Sequence, residues 1–216
     1  MVKTKEHDFI EVDYTGKIKE TNQIFDLTNE EQAKKENLYN PKATYGPRII
    51  CLGESQILKS LDKFLIDKEV GKQYIIELKP EEGFGKKDPK MVKIVTVDTL
   101  KKQNINPFPG LQINASGLIA TIRSVNSGRA TIDFNHPLAG KNLVYEIKIN
   151  KLIEKDEEKL KALVENLLGI SKKEYSIELN QNKANIKLKP KIPTNIKEEL
   201  KNKIKKLIPN LNVEFS

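Results

Sequence analysis

Period-2 alternation constrains this sequence most, and it comes in blocks that are nested. Over residues 9–18, FIEVDYTGKI, the side chains of Ile10, Val12, Tyr14 and Ile18 share one side. With its β-branched bias, this predicts a half-buried strand. Gly16 interrupts the run as at a bulge. Residues 73–79, QYIIELK, predict a buried strand, and Pro80 with EEGFG marks a tight loop. A second strand-rich block then occupies residues 91–134. Its apolar runs MVKIVTV, LQI, GLIATIRSV and RATIDF are separated by the turn signals NPFPG, NASG and NSG. The last of these suits a hairpin. Only beyond HPLAGKN does a strand of the first kind return, as LVYEIKI. One β module therefore interrupts another.

Helical spacing is confined to other places. Residues 56–65 place Ile57, Leu58, Leu61, Phe64 and Leu65 at helical intervals, and the polar stretch TNEEQAKKENLYNPKA before them predicts a long loop. Past residue 153 the character changes. Leu160, Leu163, Val164, Leu167 and Leu168 form an apolar stripe that Gly169 can cap. Tyr175, Ile177 and Leu179 alternate, as do Ala184, Ile186 and Leu188 across an NQN turn. Asn195 with Glu198 reads as a capping box opening a second helix. Its stripe is Ile196, Leu200, Ile204 and Leu207, and Leu211, Val213 and Phe215 alternate after Pro209. The order is αββαβ, a small α+β unit near the lower size limit for independent stability.

Charge follows the same partition. The formal net charge is +8, from 38 basic and 30 acidic side chains. Residues 1–85 carry −3, 86–135 carry +5, 136–152 carry +2 and 153–216 carry +4. A balance that changes sign along the chain predicts modules. No apolar run is long enough to span a bilayer, and MVKTKEHDFIEVDY has no apolar signal core. Cys51 is the single cysteine, so no intramolecular disulfide forms, which suits a reducing, cytoplasmic setting. His7 and His136 are too few and too far apart in sequence for a Cys/His metal site. Neither metal nor cofactor is expected. Taken alone, Cys51 beside IICLG is a small core residue, and His136 is a hydrogen-bonding loop residue.

The motifs VDYTGKI, QIFD, LGESQILKSL, KPEEGFGKKDP and NHPLAGKNLVYEI, in that order over residues 9–152, resemble the FKBP-type peptidyl-prolyl isomerases. The block between EGFG and NHPLAG resembles the insert-in-flap domain of the SlyD-like branch. The C-terminal extension resembles the long archaeal members of that branch. The resemblance implies an α+β fold: an FKBP-like antiparallel half-barrel sheet wrapped on a short helix, an inserted all-β flap domain and a C-terminal αββαβ domain. The implied modules are residues 1–85 plus 136–152, 86–135, and 153–216.

Carried over position by position, the resemblance implies a pocket of Tyr14, Phe25, Asp26, Ile57, Leu58, Leu61, Phe84 and Tyr145. Leu138 and Ala139 would lie at its rim. Phe84 stands where the family commonly has Tyr, which removes a ligand-binding hydroxyl. Ser60 stands for a common Gly, and Gly83 for a common Ala. The implied chemistry needs no nucleophile. An X–Pro bond turns over tens to hundreds of seconds against a barrier of about 18–20 kcal/mol. Amide resonance makes the planar ground state more polar than the twisted transition state. A water-free apolar pocket therefore favours the twisted state, and lowering the barrier by roughly 4–5 kcal/mol accelerates rotation about a thousandfold or more. Asp26 would orient Tyr14 and face the twisted amide, and the Leu58 N–H would anchor a substrate carbonyl.

The same resemblance implies that the insert binds unfolded, proline-containing polypeptides, with Ile94, Phe108, Leu111, Ile113, Leu118 and Ile122 as client-binding positions. The extension presents polar outward positions on three strands, and its sheet edges need cover. Homodimerisation through residues 153–216 is the cover expected for them. A holdase with little isomerase activity is the close alternative. A nucleic-acid module in the extension is a distant one: the αββαβ order invites comparison with KH domains, but the segment lacks the GxxG clamp.

Overall fold

The computed structural model describes residues 2–115 and 117–216. In chain order its elements are β1 (Phe9–Ile18), β2 (Ile24–Leu27), α1 (Glu30–Lys35), β3 (Arg48–Cys51), α2 (Lys59–Phe64), β4 (Gln73–Leu78), β5 (Val92–Thr96), α3 (Val97–Lys102), β6 (Gln112–Ala115), β7 (Leu118–Asn126), β8 (Arg129–Asp133), β9 (Leu143–Leu152), α4 (Asp156–Leu168), β10 (Tyr175–Asn180), β11 (Lys183–Leu188), α5 (Thr194–Leu207) and β12 (Asn212–Phe215). The fold is mixed α+β, with mostly antiparallel sheets and few helices. Two compact units emerge. One joins the chain up to Lys17 with Thr21–Glu77 and Val144–Ser216, and the other joins Ile18–Glu20 with Leu78–Leu143.

In the first unit, β1 is the organising strand. The main sheet runs β2-β1-β9-β4, and β3 also pairs with β1. Phe9–Val12 of β1 pair with β3, whereas Thr15–Lys17 pair with β2 and slip register between Gly16 and Lys17. The bulge expected at Gly16 is therefore present. Ile10, Val12 and Ile18 are buried as the alternation required.

Three local expectations fail in this unit, each for a physical reason. The stretch expected to be one long loop contains α1. Asn29 caps it by accepting from the Gln32 N–H, acidic Glu30 and Glu31 open it, and Lys34 and Lys35 close it. Its only buried side chain is Ala33, so it carries almost no apolar stripe to read. The strand expected to be buried, β4, alternates and leaves Ile75 66% exposed, as an end strand of its sheet can. The helical spacing read from residue 56 becomes helix only at Lys59, so Ile57 and Leu58 precede the helix, as the pair carried over from the resemblance does, with Leu58 as its N-cap.

Residues 153–216 do not form a separate body. Their apolar stripes close over the start of β1 and the end of β3. Phe9 and Cys51 share one core with Ile153, Leu160, Leu163, Val164, Ile186, Leu200, Ile204 and Val213. Covering a Phe-sized side chain in this way stabilises by about 1.5–3 kcal/mol. A unit of that size thus meets its shortage of core by borrowing from β1 and β3. The C-terminal sheet runs β10-β11-β12, with β12 parallel to β11. Gly169 caps α4 at φ +62, as the stripe predicted. The capping box does not form. Pro193 is the N-cap of α5, without a side-chain hydrogen bond, and Asn195 lies inside the helix.

The second unit is a four-stranded sheet, β5-β8-β7-β6. The NSG turn closes a tight β7–β8 hairpin, with Asn126 opposite Arg129 and positive φ at Ser127 (47°) and Gly128 (74°). Two positive φ values are what a type I′ turn requires. The insert is not all-β. Thr96 caps the short helix α3 by accepting from the Thr99 N–H, and Leu100 from that helix completes the core of Ile113, Ala120, Ile122, Ala130 and Ile132.

Candidate active site

The site grows from the bulged half of β1. Tyr14 lies two residues before Gly16, and its backbone is tied to Thr28: the Thr28 N–H donates to the Tyr14 carbonyl at 3.0 Å, and the Tyr14 N–H donates to the Thr28 hydroxyl at 3.1 Å. This pairing brings β2 alongside and sets Gly16 opposite Asp26. Tyr145 enters from β9. Its ring lies 6.2 Å from Tyr14 and 5.7 Å from Phe25, the latter edge-on at 85°. Such tilted aromatic pairs add about 0.5–1.5 kcal/mol beyond their burial. Tyr14 (8% exposed), Leu61 (3%) and Tyr145 (4%) are buried, Phe25 is half-buried and Asp26 is exposed.

Gly16 makes this convergence possible. A β-carbon there would stand 2.8 Å from Cζ of Phe25 and 2.9 Å from Cε1 of Tyr145. The sequence signalled only a bulge at this position.

Electrostatics makes Tyr14 a donor. Burial, and then the Asp26 carboxylate, push its hydroxyl up to about 12, and the hydroxyl donates to Asp26. Arg48 opposes the shift. Burial, followed by Asp26 and Tyr14, likewise raises the Tyr145 hydroxyl. Both phenols stay neutral, which keeps the wall free of charge. Cys51 is 1% exposed, and burial followed by Glu54 and Asp62 pushes its thiol up to about 12. It is a core side chain without thiolate character.

Ile57 and Leu58 are half-buried on the turn leading into α2. Among the described residues none accepts a hydrogen bond from the Leu58 N–H. A polar cleft of about 430 Å³ also opens on this unit, lined by Asp13, Thr28, Glu30, Glu31, Tyr45 and Pro47 among others. Asp13 alternates with Tyr14 to the opposite face of β1, and these carboxylates offer no apolar wall to a prolyl ring.

Phe84, Leu138 and Ala139 belong to the second unit. Phe84 is half-buried and stacks flat on His136, with ring centroids 4.3 Å apart. His136 Nδ1 accepts from the Leu138 N–H at 3.2 Å, and Ala139 is 3% exposed. His136 is thus a hydrogen-bonding loop residue, as expected, and also one face of an aromatic stack that the sequence did not signal.

Comparison with known proteins fits this geometry. Residues 2–101 match the pattern of the "FKBP-type peptidyl-prolyl cis-trans isomerase" family. The "Short-type peptidyl-prolyl cis-trans isomerase" of Methanocaldococcus jannaschii is 31% identical over 145 residues, which cover 67% of this chain and 91% of that protein. The chain belongs to the FKBP-type peptidyl-prolyl cis-trans isomerases. Other FKBP-type relatives agree. The SlyD isomerase of Helicobacter pylori is 28% identical over 120 residues, 54% of this chain and 64% of its own. A probable 16 kDa FKBP-type isomerase of Pseudomonas fluorescens is 28% identical over 108 residues, 48% of this chain and 71% of its own. Residues 93–138 match the pattern "FKBP26, IF domain".

Two client-binding expectations need correction. Ile113 (9% exposed) and Ile122 (0%) lie in the core of the insert. Leu111 is half-buried and packs against that core. Ile94 (67%), Phe108 (57%) and Leu118 (56%) are exposed. Ile119 (66%) and Met91 (37%) join them and were not among the expected positions. Register explains the sorting. Ile113 pairs with Ala120 and Ile122 with Ile132 on the face toward Leu100, whereas Ile119 pairs with Asn114 on the other face. Leu118 shares the inward parity but ends its strand.

Proposed function

We propose that this isomerase is also a folding chaperone. The first unit turns X–Pro bonds against the wall of Tyr14, Phe25, Leu61 and Tyr145, while the insert holds unfolded segments on its exposed apolar side chains. The convergence of Tyr14, Phe25 and Tyr145 around Gly16 carries the catalytic part. An apolar wall with neutral phenols favours the less polar, twisted amide. Asp26 holds the Tyr14 hydroxyl through their hydrogen bond, and the Leu58 N–H is the donor for a substrate carbonyl. No covalent step or proton transfer is involved.

The exposed Ile94, Phe108, Leu118 and Ile119 support the holding role, because they keep apolar surface in water that an unfolded segment can cover. A cytosolic setting is part of the same proposal, given the lone Cys51. A homodimer through the edges of the β10-β11-β12 sheet remains the proposed assembly, and a full chain that sediments as a monomer would end it.

The decisive measurement is protease-free isomerisation of a proline tetrapeptide. Tyr145→Ala and Asp26→Ala should each slow catalysis with the fold intact by circular dichroism. Parental rates in both variants overturn the pocket. A parent that suppresses aggregation but turns no X–Pro bond leaves the holdase reading instead, in keeping with a Phe84 that has no hydroxyl to offer.

A further inference from the structure

The turn that delivers Ile57 and Leu58 is gripped from two sides. From within, the buried Asp62 accepts from the Gly53 N–H at 2.9 Å and from the Ser55 N–H at 2.8 Å. The turn needs such support, since Gly53 (φ 86°) and Ser55 (φ 53°) both sit in the left-handed region, which costs a non-glycine residue about 1 kcal/mol. From outside, the C-terminal helices hold it. Asn166 of α4 donates to the Ile49 carbonyl at 2.9 Å and to Gln56 Oε1 at 3.1 Å, and the same Oε1 accepts from the Cys51 N–H at 2.8 Å. Lys203 and Lys206 of α5 pair with Glu54 at 3.2 and 2.8 Å, and that carboxylate side chain is only 7% exposed.

The polar contacts from α4 and α5 share one target. They avoid the distant ends of the sheet and concentrate on residues 49–56, immediately before the Leu58 N–H. Glu54 is a costly group to bury, and its partners come from α5 and from His7 Nδ1 at 3.9 Å. An ion pair of this kind is poor evidence of stability and better evidence of a specified arrangement. Gln56 is anchored through its oxygen alone, while its Nε2 is buried with no hydrogen-bond partner among the described residues. That unmet donor leaves Cys51 and Asn166 to hold the side chain.

We propose that Asn166, Lys203 and Lys206 are positioning residues for X–Pro isomerisation. Through Gln56 and Glu54, the C-terminal unit sets the turn that presents the Leu58 N–H to the substrate. This rests on the pocket proposed above. Small displacements of a positioned group are expensive in catalysis, whereas loss of the hydrogen bonds from the exposed Asn166 costs little stability. The signature is therefore a catalytic loss without a matching loss of fold.

The test uses the full chain with Asn166→Ala, Asn166→Asp, and the pair Lys203→Ala/Lys206→Ala. It reads tetrapeptide isomerisation, the thermal midpoint and the backbone amide signals of Ser55 and Leu58 by NMR. Each variant should lose about tenfold in kcat/KM, move the Leu58 amide signal and leave the Tyr14 amide in place. Asn166→Asp should match Asn166→Ala, because it keeps the size and loses the donor. Should Asn166→Ala fail to fold, the lysine pair reads the same coupling. Folded variants within about twofold of the parent, alongside an inactive Tyr145→Ala, overturn the positioning role and leave the pocket standing. If Tyr145→Ala is itself fully active, the pocket has failed; an unmoved Leu58 amide then overturns the clamp independently.

Discussion

At Gly16, the rings of Phe25 and Tyr145 occupy the space where any other residue would place a side chain. The φ of Gly16 is not in the left-handed region, so space alone excludes substitution. Gly16→Ala should cost about 1–3 kcal/mol by overpacking and should lower kcat/KM, read by urea unfolding and tetrapeptide isomerisation; an unaffected rate would show the rings yielding without harm. Tyr14 is legible for a different reason, since it falls in a motif whose order with QIFD and LVYEI carries the pocket. Gly16 is not legible in its second role, because Phe25 and Tyr145 reach it from other strands and leave no local pattern. The same holds for Asn166 and Lys206, whose partners lie 110 and 152 residues away in sequence. With the Tyr14 hydroxyl raised to about 12, Tyr14→Phe should cost the same factor in rate at about pH 7 as at about pH 9. A loss that changes between these pH values would mean the phenol titrates.

Among elements, the insert shows what alternation can and cannot reveal. Strands β5 to β8 and the two-residue turn at Ser127 and Gly128 were readable, because turn chemistry and period speak locally. Which parity faces inward was not readable, since it depends on α3 supplying Leu100, and α3 has too few residues to show a stripe. The distinction can be measured. Ile122→Ala should cost about 2–5 kcal/mol by leaving a cavity, whereas Ile94→Asp and Phe108→Asp should change stability by no more than about 0.5 kcal/mol. The two exposed substitutions should still weaken assistance to a refolding protein while sparing short-peptide isomerisation. Undiminished assistance would remove these side chains from the client surface.

For the whole molecule, the C-terminal unit is structural cover as well as an appendage. Ending the chain at residue 152 uncovers Phe9 and Cys51, and should cost the remaining body about 3 kcal/mol or more in urea unfolding; undiminished stability would mean that this cover is dispensable. The pairing of Glu54 with α5 adds a pH dependence. Burial raises the Glu54 carboxyl, but hydrogen bonds from Lys206 and Lys203 outweigh burial and hold it below its ordinary 4.5. A lowered folded value means the stabilisation is present above pH 4.5 and fades as pH falls below it. Glu54→Gln should therefore flatten the fall in thermal midpoint on acidification, and a parallel curve would show that Glu54 contributes nothing to it.

The strand order has a temporal side. β9 lies between β1 and β4, yet it is translated only after the whole insert. A ribosome therefore releases β1 to β4 as a sheet lacking its middle, and the gap stays open until about residue 152. The cover for Phe9 emerges later still. Non-local closure of this kind is slow and leaves strand edges open to wrong partners. The isomerase thus passes through its own vulnerable interval, with the insert already made while the sheet that it interrupts is still waiting for β9.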